Sequence, residues 1–207
     1  MPVITLSREM GSHGDTIALA VAERLKLKLA GRELINRAAR EAGAPEVALA
    51  EIDELGLLGV KPGPAALQLY REKVTEAILM LARQGNVLLV GRSGQIVLAD
   101  WPDVLRVRVL APRETRIRLV QERCHVTPEI AAARIDASDK ARADFLKRHY
   151  GVYWEDPQLY DLVLNMVHLD VLTAVDLICL ASERLEHPDE KRLQNLLTSE
   201  AEGCECR

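Results

Sequence analysis

Between an apolar run, Val3-Ile4-Thr5-Leu6, and an apolar-periodic segment beginning at Ile17 stand ten residues suited to holding an anion: Ser7-Arg8-Glu9-Met10-Gly11-Ser12-His13-Gly14-Asp15-Thr16. A glycine-bearing turn between a strand and a helix aims backbone N–H groups and the positive end of the helix dipole at one spot, which is the chemistry of a phosphate site. Laid on the spacing G-x-x-x-x-G-K-S/T, Gly14 and Thr16 match, but the first glycine falls on Glu9 and the lysine on Asp15. That lysine carries positive charge to the outer phosphates, and an aspartate repels them. The stretch therefore implies a nucleotide site whose cation comes from another residue. Arg8, beside the loop, is the first candidate; His13 is read as a minor donor.

Other cations cluster in two places. Asn86-Val87-Leu88-Leu89-Val90, a continuous apolar run of the kind a buried parallel strand shows, ends in Gly91-Arg92-Ser93-Gly94, a second glycine turn that carries an arginine. Further on, Thr127-Pro128-Glu129 is a helix start with cap, first-turn proline and early acid. It opens a densely charged stretch with Arg134, Asp136, Asp139, Lys140, Arg142, Asp144, Lys147, Arg148 and His149. Such a run is either a solvated helical face with i,i+4 pairing or a lid that brings cations over phosphates.

These groups need a frame to hold them. Ile17, Ala18, Val21, Ala22 and Leu25 recur at helical spacing, so a helix follows the loop and packs one face on a sheet. Gly31 to Ala42 reads as a helix, and Gly43 to Pro64, with its glycines and prolines, as a mobile insertion. Ala65 to Gln84 reads as a long helix whose inner side is Leu69, Val74, Ile78 and Leu81. In Val104 to Leu110, Leu105, Val107 and Val109 alternate with Arg106 and Arg108, which suggests a strand in an outer position. A helix over Pro112 to Arg123, an interior strand over Tyr160 to Asn165 and a packed helix over Asp170 to Leu185 complete the pattern. Strands alternating with helices predict an α/β fold with a mostly parallel sheet covered on both faces.

Composition narrows the function. The chain has 207 residues, 48% of them hydrophobic and 28% charged, enough for one domain with a sizeable core. The expected division is a single domain over 1–190 and a polar tail over 191–207. A formal net charge of −4 gives no electrostatic footprint for nucleic acid. No apolar run approaches the length of a membrane span, and the N-terminus lacks a secretory pattern, so the expectation is a cytoplasmic protein. Cys124 and Cys179 lie inside helical patterns and read as buried thiols; Cys204 and Cys206, at a polar terminus, have no further ligands spaced near them. The apolar helix near residues 65–84 serves either a homo-oligomer or the core alone.

Taken in order, Ile4 to Gly14, Gly31-Arg32-Glu33-Leu34-Ile35, Val90 to Gly94, Ile135-Asp136 through Asp139-Lys140 and Arg142, and Tyr160 to Asn165 resemble the cytidylate-kinase-like branch of the nucleoside monophosphate kinases. The resemblance implies a three-layer α/β/α P-loop kinase-like fold, with a monophosphate-binding helical insertion at about residues 31–84 and a helical lid at about 124–155. It implies transfer of the ATP γ-phosphoryl group, with Mg²⁺, to CMP or dCMP. By the same resemblance Gly11, Ser12, Gly14 and Thr16 belong to the phosphate loop, with His13 and Asp15 between them, and the Thr16 hydroxyl is the candidate Mg²⁺ ligand. Arg92 matches the arginine that binds the acceptor phosphate, and Arg37 sits where the insertion places a second. Asp139 and Arg142 match the lid pattern, in which an arginine reaches the transferring phosphoryl group. Two family charges are replaced, the loop lysine by Asp15 and the acid before Gly-Arg by Val90. An active phosphotransferase and a catalytically impaired nucleotide-binding or regulatory module therefore compete, with a structural protein using the acidic stretch Glu200 to Glu205 as a third reading.

Overall fold

In a computed structural model the chain is described over residues 1–41, 43 and 64–188. The expected insertion between Gly43 and Pro64, the tail over 191–207, and Cys204 and Cys206 lie outside the described residues. Strand β1 (Val3–Arg8) runs into α1 (Gly14–Arg24), followed by β2 (Lys28–Ala30) and α2 (Arg32–Glu41). After α3 (Pro64–Gln84) come β3 (Val87–Val90), the short α4 (Gly94–Val97), β4 (Val104–Leu110) and α5 (Arg113–Cys124). The long α6 (Pro128–Tyr150), a 3-10 turn at Pro157–Leu159, β5 (Leu162–Asn165) and α7 (Val171–Glu186) complete the order.

The strands form one parallel sheet in the order β2-β3-β1-β4-β5. Period-two alternation divides the core between the two faces of this sheet. Ile4, Leu6, Leu88, Val90, Leu105, Val107 and Val109 face α1 and α7, meeting Ile17, Val21, Val175 and Ile178. Val3, Val87, Leu89 and Val104 face the other way, onto Ile35 of α2 and Tyr70, Val74, Ile78 and Leu81 of α3. The result is a three-layer α/β/α architecture. α5 and α6 pack on each other through Val120, Ala131 and Ile135.

Several expectations are corrected here. Lys28–Ala30 is a fifth strand, too short for periodicity to register. β4 is interior, paired with both β1 and β5, and β5 is the edge. The arginine alternation in β4 marks one face of the strand, not an outer position. Arg106 forks onto Asp161, with Nε to Oδ2 at 3.0 Å and Nη2 to Oδ1 at 2.6 Å, while Arg108 is buried. Burial raises the Asp161 carboxyl, but the bonds from the Arg106 side chain and backbone outweigh it and leave that acid below its usual range. On α3, Val74, Ile78 and Leu81 are buried as expected, but Tyr70 takes the inner place expected of Leu69, which is exposed. Cys179 is buried as expected, whereas Cys124, the last residue of α5, is exposed. The apolar stripe of α3 is spent on the core. α6 begins as its sequence predicts, with Thr127 as cap accepting from Ile130 and Pro128 in the first turn, and ends on Gly151 at φ 73°. No helix among the described residues is long and apolar enough to cross a membrane.

Candidate functional site

β1 extends two residues beyond the apolar run, so Ser7 and Arg8 are strand residues held in register opposite Arg108 and Val109 of β4. The turn proper is Glu9 to His13, with Gly11 at φ 79° and His13 at φ 64°, and α1 starts at Gly14. The first N–H groups of α1 have no intrahelical acceptors and face the mouth of the turn, where the helix dipole also favours an anion. Ser12 is fully buried, and its hydroxyl donates to the Glu9 carbonyl at 2.9 Å and the Val109 carbonyl at 3.3 Å. This side chain builds the turn, leaving the backbone to face a ligand. Gly11 is required twice over: its φ is left-handed, and a Cβ there would sit 2.7 Å from the Arg116 carbonyl oxygen. Gly11→Ala is therefore expected to lower stability by about 1–2 kcal/mol from the backbone alone, and by more from the overlap. Urea unfolding checks this; an unchanged midpoint would contradict it.

The Arg8 side chain passes over Gly14, where a Cβ would lie 2.6 Å from its Cγ. Its Nε donates to Asp15 Oδ1 at 2.9 Å, and its Nη1 reaches to 3.0 Å from where a Cβ on Gly91 would stand. Arg8 thus bridges the first turn of α1 and the second glycine turn, and Asp15, in the lysine position, is its partner. With Asp15 64% exposed, this pair adds little stability; its effect is to orient the guanidinium.

The second turn is tightly built. Gly91, Arg92 and Ser93 have φ values of 71°, 57° and 60°, three left-handed residues in succession. Two are not glycine, a strained arrangement of the kind that gathers at functional sites. Half-buried Arg92 lies beside Tyr70, which is buried against α2 and donates to Asn36 Oδ1 at 3.4 Å. Burial raises the Tyr70 phenol, and the charge of Arg92 draws it partly back. The C-terminal end of α6 closes on α3 here, with Arg71 Nη1 donating to the His149 carbonyl at 3.1 Å. Burial, helped by the charges of Arg71 and Arg148, pushes the His149 imidazole below its ordinary value. Arg37 lies exposed on α2, next to Asn36.

Behind the loop lies a network that spacing did not reveal. Glu9 accepts from Arg108 at 3.4 Å and from the Ala111 amide at 3.2 Å, and pairs with Arg116 at 3.3 Å. Arg116 donates from Nε to the Met10 carbonyl at 2.7 Å and from Nη2 to Asp139 Oδ2 at 2.6 Å. Asp139, expected among the reacting groups, anchors Arg116 and through it the turn. Arg142 lies 3.7 Å from Asp139 and stacks over the Trp154 ring at 5.6 Å from its centroid. Arg134, Lys140 and Arg148 are exposed on α6. The Thr16 hydroxyl accepts from Arg123 at 3.2 Å. Two carboxylates, Glu9 and Asp139, thus stand among three guanidiniums, Arg108, Arg116 and Arg142, so the cluster behind the turn is net positive. A separate cleft lined by Trp101, Arg106, Asp161 and Arg184 opens at the opposite, N-terminal end of the strands.

Glu9, Arg108, Arg116 and Trp154 are the residues that sequence reasoning missed. The only hint was chemical: two arginines in an apolar strand, and a glutamate in a turn where a glycine was expected.

Comparison with known proteins places the chain in a family and a fold. A "Cytidylate kinase" of Methanopyrus kandleri is 31% identical over 173 residues, covering 79% of this chain and 83% of the relative. One of Ignicoccus hospitalis is 28% identical over 166 residues, covering 80% and 90%. A crystal structure of an uncharacterized protein from Eubacterium ventriosum superposes with a TM-score of 0.72 at 23% identity, covering 88% of this chain and 99% of that one. A shikimate kinase from Bacteroides thetaiotaomicron superposes at 0.52 with 13% identity, covering 88% and 98%, which places the fold among the P-loop kinases. Residues 3–168 match the Cytidylate kinase-like family, and the chain belongs to it.

Proposed function

We propose that this protein transfers the γ-phosphoryl group of ATP to a nucleoside monophosphate, with a cytidylate-like acceptor as the first expectation. The observation that carries the reading is the course of Arg8, from Asp15 in the first turn of α1 to the Gly91–Arg92 turn. That path crosses the gap between a donor-phosphate cradle and an acceptor-type arginine. The names of the archaeal relatives favour cytidylate.

In this reading the backbone of Gly11 to Thr16 receives the β- and γ-phosphates at the start of α1. Arg92 takes the acceptor phosphate in the two-pronged geometry that suits it, with Arg37 available from α2. An oxygen of the acceptor phosphate attacks the γ-phosphorus, the bond to the β-phosphate bridging oxygen breaks, and ADP leaves with that electron pair. Arg8 and Arg142 neutralise the equatorial oxygens as the phosphoryl group passes, the main service a protein renders in this reaction. Mg²⁺ would come with ATP and supply further neutralisation of the β and γ oxygens. The Thr16 hydroxyl is an oxygen donor of the kind it takes, once Arg123 yields it.

One observation favours the second reading, a nucleotide-binding or regulatory module. Asp15 already offsets the charge of Arg8. Coupled ADP release with a panel of monophosphates tests the proposal, with turnover expected and CMP or dCMP preferred. If calorimetry finds ATP bound while no acceptor turns over, the binding module replaces it.

A further inference from the structure

Trp154 lies just past the end of α6 and is only 3% exposed, yet it belongs to none of the apolar clusters of the core. It holds several polar and charged partners. The indole Nε1 donates to Ser7 Oγ at 2.9 Å, and Ser7 is the β1 residue directly before Arg8. Its carbonyl accepts from the Tyr160 hydroxyl at 2.9 Å and from Arg108 Nη1. Two guanidiniums stack over the ring: Arg108 at 4.4 Å from the centroid and Arg142 at 5.6 Å. A buried tryptophan packed only for its area has no need of this set of partners. Its N–H is fixed to the strand that leads into the phosphate loop, and its ring is a platform for the inward-facing arginine of α6.

We propose that Trp154 is a positioning residue that holds Arg142 ready beside the phosphate loop and ties the root of α6 to β1 through Ser7. The inference rests on the phosphotransferase reading for its kinetic consequence, but not for its physical content. Indole is the strongest of the aromatic faces for a cation, so the ring, together with Asp139 at 3.7 Å, sets where Arg142 rests.

The test uses the full chain and two kinds of readout. Trp154→Ala should lower kcat roughly tenfold while KM for ATP stays within about twofold, since the stack is worth about that factor. Trp154→Phe, which keeps an aromatic face and loses the N–H, should recover most of the loss. An unaltered kcat in folded Trp154→Ala protein, or no rescue by phenylalanine, would overturn the proposal. The second readout does not depend on turnover. The chain has two tryptophans, and in a Trp101→Phe background, altered at the opposite end of the sheet, emission comes from Trp154 alone. ATP should change that emission as Arg142 leaves the ring, and Arg142→Ala should abolish the change. If the wild type turns over no acceptor, this readout decides alone: an Arg142-dependent change on ATP binding supports the platform, and constant emission with ATP shown to bind overturns it.

Discussion

Arg8→Ala is expected to lower kcat by about 10³-fold, the scale set by cations that stabilise phosphoryl transfer, while ATP binding weakens far less. The asymmetry follows from where the two functions reside. On the proposed function the cradle for the bound phosphates is backbone, a turn whose glycines and helix start remain when a side chain is removed. On the same proposal the guanidinium, which runs from Asp15 to the Gly91 turn, spans the gap that the transferring group crosses. Charge stabilisation that grows in the transition state appears in kcat, whereas uniform binding appears in KM. A double variant sharpens the expectation. Asp15→Lys places a cation on the first turn of α1, so added to Arg8→Ala it should restore part of the lost rate. Steady-state ADP release measures both variants. An Arg8→Ala enzyme within about threefold of wild type would show that this guanidinium acts only structurally.

Arg116→Ala is expected to cost about 3–5 kcal/mol of stability, the range for breaking a buried ionic network at one member. Arg116 is 5% exposed and serves three partners: the Met10 carbonyl, Asp139 and Glu9. Its loss takes a guanidinium from two carboxylates, leaving Glu9 to Arg108 and the Ala111 amide and Asp139 to Arg142, and releases the carbonyl that fixes the turn. Arg116→Met, which keeps the volume, should recover little, because the defect is lost pairing of buried polar groups and not a void. Chemical unfolding measures the loss, and a cost below about 1 kcal/mol would show that the carboxylates find water instead.

The contrast between Arg116 and Arg8 shows what the sequence could and could not disclose. Arg8 was legible because it adjoins a recognisable turn lacking its lysine, so the question of a replacement cation arose from local spacing. Arg116 and Arg108 are distant in sequence from their partner Glu9 and sit in segments whose periodicity reports only helix or strand. Long-range pairing of buried charges leaves no local trace. The same reasoning explains Asp139, which the resemblance placed among the reacting groups and the structure joins to Arg116 at 2.6 Å. β1 and β3 are readable as apolar runs, α1 by its helical period, and α6 by its cap and first-turn proline. β2 has three residues and is not. The exchange of β4 and β5 between interior and edge has a specific cause. Alternating arginines suggest solvent, but in β4 Arg108 is buried on an aromatic ring and Arg106, partly exposed, forks onto a carboxylate, so polar residues occur in an interior strand.

The central claim is that Arg8 supplies the charge that the loop aspartate withholds. Its most direct test is a crystal structure with a non-hydrolysable ATP analogue and CMP, read for the distance from the Arg8 guanidinium to the β- and γ-phosphate oxygens. The expected result is an approach to about 3 Å, the reach of a charge-assisted hydrogen bond, with Arg92 on the acceptor phosphate. A nucleotide seated on the loop with Arg8 still directed only at Asp15, and no other cation within that distance, would contradict it.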